Sequence, residues 1–544
     1  MFSALLLLLL GWLAVTRTAQ FIAQQPEIDS DSTWDLDLAP SPNDTANLVF
    51  NSVHSLSMGW PNRRYRNGHT VVPGIIPAGT SLYHGRGDPM VPATPEWTAF
   101  DFELSTLYCG LFTTDDTGCW HLTLVVERPL NIVYFDGYSG LKLPGSGTLD
   151  SQDVLAWGRV MPDRYSDEPR RIKDLCKWGN NFGIDGFVRL HTSFEVMICD
   201  FSAGLKVSSM LHINVPYHPT TSPNYSSYST RYPNIRAPDM ELGVPLDTFG
   251  MGELVASKRI DEYPGETRVQ LHLHRLVSFY DPSLAPSLVR QRFGQNRLQH
   301  RILGIIPSEV ENVKSRVEKE LAPEKWMKLE QKFDWSSLFH NLVQRYASRL
   351  ELIRFDLNST DGSLESLSST IRATFLQLRG ILQPYDLLTA RANIEDFSDD
   401  ISWATAVYKA CATAYPASAS TFTTTFTPSE KLMLSALRAT NREICRTITK
   451  MWADGVNHRV ETSFEISGVN RPLKAIYDRW KQDVNALMLW LDWSIWLKCN
   501  PACNTDEMCY LPMSPYLVPG ADPTDDWISQ ARDPQPTCIP RHSR

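Results

Sequence analysis

Three short segments within the first 200 residues carry side chains that could do chemistry together. Gly79-Thr-Ser-Leu-Tyr-His84-Gly85 reads as a strand that delivers a histidine and then a glycine. Trp97-Thr-Ala-Phe100-Asp-Phe-Glu-Leu-Ser105-Thr-Leu-Tyr108 places aromatic residues ahead of a helix start. Phe194-Glu195-Val-Met-Ile-Cys-Asp200 follows Gly183-Ile-Asp-Gly-Phe and sets one glutamate in an otherwise apolar strand. An ionised carboxylate is costly to bury unpaired, so Glu195 needs a reason to stand there. A fixed carboxylate can stabilise positive charge developing on a sugar, and a positioned histidine can hold a ligand by a hydrogen bond. The structural alternative is that Glu195 pairs with nearby Arg189 and that His84 is a core or turn histidine.

Other chemistry-bearing patterns are weaker. The common catalytic strings H-E-x-x-H and G-x-S-x-G, the Walker loop and the EF-hand loop are absent. His272-x-His274 would put two imidazoles on one face of a strand, but no third ligand accompanies them, and a solvated strand is expected. Arg290, Arg292, Arg297, His300 and Arg301 read as a charged helix face. No metal site is expected.

The three segments resemble the ADP-ribosyltransferase fold, in its His-Tyr-Glu group, over about 120 residues. The resemblance implies that His84 bonds a ribose hydroxyl of NAD and that the Gly85 backbone pairs with the nicotinamide amide. It further implies that Ser105 and Tyr108 match the middle motif and that Glu195 is the catalytic acid group. NAD would then be a substrate, and the activity a transferase or glycohydrolase; an inactive derivative of the fold is the other outcome. The usual stacking tyrosine has only Trp97 or Phe100 nearby, and Ser193 stands where arginine-modifying members carry a second glutamate. Over its whole length the chain also resembles an uncharacterised fungal secretory-pathway protein family. The strings that carry this are YHGR with EW-x-AFD, GTLDSQD, GIDGFVR with FE-x-MICDFS, LVSFYD with HRILGI, WADGVNHR and DEMCYLP.

The elements that must position these residues are legible as apolar runs. Val71–Ile76, Leu122–Val126, Ile132–Phe135, Gly186–Leu190 and Phe194–Phe201 read as strands, and Asp167–Trp178 as a helix stopped by Gly179. Residues 51–215 thus form an α+β domain. A Pro-, Ser-, Thr- and Tyr-rich segment opens a connector over 216–306, in which Val269–Leu273 alternates like a half-buried strand. From 307 to 498 the texture is helical, with a capping box at Ser308 and Glu311 and helices over Trp335–Ile353, Ser363–Leu382, Ser429–Ala453 and Arg471–Leu497. Residues 499–544 form a Cys-rich tail. The expected class is α+β, a mixed α/β N-terminal domain followed by a mostly helical, disulfide-stapled C-terminal domain.

Compartment follows from the termini and the cysteines. Phe2–Val15 is an uncharged apolar run, too short to span a bilayer, so residues 1–19 read as a signal peptide, with an uncleaved anchor as the alternative. Residues 20–50 read as a flexible lead-in. The ten cysteines group as Cys109, Cys119, Cys176 and Cys199, then Cys411 and Cys445, then Cys499, Cys503, Cys509 and Cys538. The last spacing fits no common zinc site, and disulfides in a secreted or lumenal protein are expected. Asn43, Asn224 and Asn358 head glycosylation sequons. With 52 basic against 61 acidic residues the net charge is −9, which disfavours nucleic acid and leaves a protein or small-molecule partner. The alternative to an NAD-consuming enzyme is a non-catalytic, disulfide-stabilised binding or structural protein.

Overall fold

The apolar runs of the first 215 residues fold as strands: β1 (Thr70–Ile76), β2 (Ser81–Arg86), β3 (Glu96–Ala99), β4 (Cys119–Val126), β5 (Leu130–Phe135), β6 (Gly186–Leu190), β7 (Phe194–Ile198) and β8 (Leu205–Ile213). With β9 (Gln270–Leu271) and β10 (Val277–Ser278) they make one ten-stranded sheet of order β10-β1-β5-β6-β7-β3-β2-β4-β8, with β9 also pairing with β1. β3 and β8 are additions to the expected set, and β7 stops at Ile198, short of the expected Phe201. The β5–β6 pair is parallel and the other pairs are antiparallel. β6 and β7 are buried along their whole length, the state of strands covered on both faces, and this is why they read as continuous apolar runs. β8 lies at one edge of the sheet and is half exposed.

The computed structural model describes residues 34–112, 119–142, 145–213, 263–292, 294–326, 333–391, 400–415, 419, 422–461, 470–511 and 535–540. The apolar leader at 1–19, the lead-in up to residue 33, the connector over 216–262 and the Asn224 sequon lie outside these residues.

Contacts divide the chain into two compact units that interleave in sequence. One comprises Ser41–Leu352, Phe426–Thr440 and Met488–Arg544; the other comprises Met1–Pro40, Ile353–Thr425 and Asn441–Leu487. The contact division therefore does not fall at residue 306, because the start of the helical region and the Cys-rich tail pack with the sheet.

In the sheet unit the helices of the first half are α1 (Ala46–Ser55), α2 (Gly59–Arg64), α3 (Phe102–Phe112), α4 (Asp150–Trp157) and α5 (Glu168–Gly179). α1 corrects the expected lead-in: the Ala46–Phe50 stretch is helical, and Phe50 is fully buried against Phe339 and Trp493, with ring centroids 4.8 and 6.0 Å away. The Cys176–Cys199 disulfide ties α5 to the end of β7. α6 (Pro286–Arg292), α7 (Pro307–Glu320) and the first part of α8 (Trp335–Asn358) follow. α7 starts with Pro307 in its first turn and has no side-chain cap, so the Ser308–Glu311 box is not its entry. His272 and His274 do not share a strand face, because the chain turns into a 3-10 helix at Leu273–Arg275.

The other unit contains α9 (Leu364–Leu382), α10 (Leu388–Arg391), α11 (Thr405–Ala414) and most of α12 (Pro428–Asn457) and α13 (Asn470–Leu491). Ser363 caps α9 by accepting from the Ser366 amide. Trp452 and Trp480 are fully buried, and Cys411 is bonded to Cys445. The stretch beginning at Trp34 is ordered here: Trp34 meets Tyr408 edge-on at 5.2 Å, and Arg446 Nη1 donates to the Leu36 carbonyl at 2.7 Å.

α13 stops at Leu491, short of the expected Leu497, because Asp492 takes a positive φ of 45°. In the tail, Cys499 pairs with Cys509 and Cys503 with Cys538, around the antiparallel pair β11 (Glu507–Tyr510) and β12 (Thr537–Pro540). The sulfurs of Cys499, Cys503 and Cys509 lie close enough to suggest a metal site, but all three are committed to disulfides. Cys119 is disulfide-bonded as well, and no described cysteine is free. Among the described residues no helix is long and apolar enough to cross a membrane.

Candidate functional site

Strand register decides which of the singled-out side chains share a face. Tyr83 of β2 lies opposite Ala99 of β3, Ala99 opposite Glu195 of β7, and Glu195 opposite Arg189 of β6. Cross-strand neighbours point the same way and successive residues point oppositely. Glu195 therefore projects with Trp97 and Arg189 toward α3, α4 and α5, whereas His84, Glu96 and Thr98 project from the reverse face.

Glu195 is 3% exposed, and both of its oxygens are taken. Oε1 accepts from Arg189 Nε at 2.7 Å, and Oε2 accepts from the Tyr108 hydroxyl at 2.6 Å. Arg189 is itself buried, with its guanidinium 3.6 Å from the centroid of the Trp97 ring. Its Nη1 donates to Glu168 at 2.7 Å and to the Gln152 side-chain oxygen at 3.1 Å. Glu168 also accepts from Arg171, whose Nε bonds Asp153 at 3.1 Å. The result is a buried chain of alternating charge, Glu195–Arg189–Glu168–Arg171–Asp153, with Lys142 3.7 Å from Glu168 at its rim.

Burial pushes each of these carboxyls up, and the guanidinium charges oppose it. Around Glu195 the charge of Arg189 prevails, helped by His191, Lys142 and the Tyr108 hydroxyl, and the carboxyl is held below its usual range. Glu168, facing Arg189, Lys142 and Arg171, is held at about 2. Asp153 has Arg171 beside it and Asp150 against it, so burial wins and it rises to about 6. Burial and the Glu195 charge raise the Tyr108 hydroxyl well above its ordinary value, so it stays a donor.

The sequence-predicted residues divide accordingly. Tyr108 and Glu195 are brought together. His84 is not: its Nδ1 lies 2.6 Å from the Trp97 carbonyl, its Nε2 3.0 Å from Glu96, and its ring packs on Phe201. The expected His84–Glu195 pair is therefore corrected by the register, which separates them across the sheet. Gly85 sits inside the sheet opposite His121, on a strand with neighbours on both sides. Ser105 donates to the Phe102 carbonyl and lies 2.6 Å from His121 Nε2, so it is spent within its own surroundings. Trp97, one of the two aromatic residues near the missing stacking tyrosine, covers Arg189. The Arg189 pairing named as the structural alternative is the arrangement present. Glu168, Gln152 and Arg171 were not singled out from the sequence. Arg171 and Glu168 carry no signal there, because charges at the start of a helix are ordinary.

Residues 35–114 and 112–227 match the sequence profile of the YPL277C N-terminal domain. The chain is 25% identical to the Saccharomyces cerevisiae (strain ATCC 204508 / S288c) protein YOR389W, over 86% of this chain and 81% of that protein. It is 26% identical to YPL277C of the same yeast, over 62% of this chain and 80% of that protein. Both relatives are described as uncharacterized proteins, so the similarity supports a fungal family and brings no activity with it. No solved structure matches.

Proposed function

We propose that the chain is a non-catalytic, disulfide-stapled protein of the secretory route, in which the residues an ADP-ribosyltransferase would use for NAD have become parts of a core. The observation that carries this reading is the state of Glu195: buried, ionised, and bonded at both oxygens by Arg189 and Tyr108. A carboxylate that stabilises a sugar cation must face the sugar, and one already neutralised by a guanidinium has little field left to offer. Paired cysteines are compatible with an oxidising compartment. Asn43 and Asn358 are both exposed, as glycan acceptors must be. Endoglycosidase treatment of the protein from its native host is expected to lower its mass, and an unchanged mass together with free thiols would sink the compartment half of the reading.

A second reading keeps the transferase. It is favoured by the Tyr108–Glu195 contact at 2.6 Å, which joins two of the five residues that the resemblance singles out. One experiment separates the two: nicotinamide release from NAD by the oxidised full chain, beside Glu195→Gln. No release by either protein is the expected result. Release by the wild type that vanishes in a variant still folded by circular dichroism would establish the transferase.

A further inference from the structure

A cleft of about 440 Å³ opens at one end of the sheet, between α5, the residues leading into β3 and the residues leaving β7. Lys173 and Lys177 of α5 and Asn180 of the next turn line one wall; Thr94, Asp200 and Phe201 line the other. The spacing of 173, 177 and 180 puts all three on one helix face. Neither lysine has an ion-pair partner among the described residues, and both are exposed. Asp174, the acid between them in sequence, is engaged elsewhere, accepting from Trp157 at 2.8 Å and pairing with Arg170 at 3.4 Å. Like charges one turn apart on a helix repel, so an exposed pair of lysines that no carboxylate pairs with is complemented best by an anion from outside.

We infer that this cleft binds the anionic head group, carboxylate or phosphate, of a small ligand, held by Lys173 and Lys177 with Asn180 and Thr94 as neutral donors. The walls are fixed before any ligand arrives, because the Cys176–Cys199 disulfide forms the floor and joins the lysine-bearing helix to the opposite wall. A preorganised site loses less entropy on binding. Phe201, buried and packed on His84, supplies an apolar base for the body of the ligand. Asp200 is the one acid in the lining, and its carboxylate accepts from the Ser202 amide at 2.8 Å and from the Ser202 hydroxyl at 2.6 Å.

This site is independent of the reading given to Glu195, and its test does not involve NAD. The oxidised full chain is titrated calorimetrically with inorganic phosphate and, separately, with succinate, at an ionic strength held constant with chloride. Saturable one-to-one binding of at least one probe is expected, at least tenfold weaker in the Lys173→Gln/Lys177→Gln double variant and weaker still in Lys177→Glu. Binding of phosphate alone or of succinate alone supports the site and identifies the head group. The inference is overturned if neither probe gives heat beyond the chloride control, or if the double variant binds as the wild type does. Both lysines are exposed and without ion-pair partners, so the variants should fold, and Asn180→Ala gives a milder loss as an independent check.

Discussion

Arg189 has two carboxylate partners, Glu195 and Glu168, and at 1% exposure it is shut off from bulk solvent that would replace either. Taking the charge from Glu195 with glutamine leaves the guanidinium half compensated in a buried setting, and breaking such a pair typically costs ~3 kcal/mol or more. Urea unfolding should therefore show Glu195→Gln destabilised by about 3 kcal/mol, and Tyr108→Phe by about 1 kcal/mol for its single hydrogen bond. Equal stability of Glu195→Gln and wild type would mean that Glu195 is not structural. The sign with pH is fixed by the depressed carboxyls. Glu168 at about 2, and Glu195 also below its ordinary 4.5, contribute stability that is complete above pH 4.5 and lost as pH falls toward 2. At this scale Glu195 and Arg189 were legible, since each interrupts an apolar strand. What they bond to was not, because Glu168 and Gln152 stand in helices where their types need no explanation.

Among the elements, the joint between β1 and β5 depends on a close backbone crossing. Gly137 has a φ of 75°, and a Cβ there would come within 2.5 Å of the Gly68 amide nitrogen. Gly137→Ala combines strain with a clash against backbone, so a loss of at least ~1 kcal/mol is expected, with a lowered thermal midpoint. An unchanged midpoint would show that the turn can relax. The Cys176–Cys199 bridge spans 23 residues, and a double alanine variant should lose about 2–4 kcal/mol. The strands were readable because fully buried strands leave unbroken apolar runs. The end of α13 was not, since the apolar run Ala486–Leu497 continues past the residue that breaks the helix, and Asp492 betrays itself only by its backbone angle. His272 and His274 illustrate the converse: an alternating pattern two strand residues long passes for a strand when the chain in fact curls into a 3-10 turn.

For the whole sheet unit, buried histidines set the response to acid. Burial lowers His69 to about 3 and His54, His121, His191, His272 and His300 to about 4, against 6.5 in the unfolded chain. Between pH 6.5 and 4 the unfolded chain therefore binds more protons at these six groups, and stability falls with pH. Asp136 at about 7 and Asp153 at about 6 act in the opposite sense, since their protonation favours the fold. Six groups outweigh two, so the urea midpoint is expected to drop from pH 7 to pH 5, and a midpoint that rises over that interval would refute the balance. The histidines are scattered through the sequence, and nothing in their spacing announces that they are buried. The same holds for the interleaved units: patterns along the chain reveal helices, but not that one group of helices leaves the sheet unit at residue 353 and the chain returns to it at 426.

The order of the four tail cysteines has a practical corollary. Cys499 joins Cys509 and Cys503 joins Cys538, so the two bridges interlock along the chain. A protease that cuts anywhere between Leu511 and Gln535 severs the polypeptide without releasing anything, because the last ten residues stay tethered through Cys538. Such a nicked molecule would migrate as one band on a gel until a reductant is added, and only then shed its C-terminal peptide.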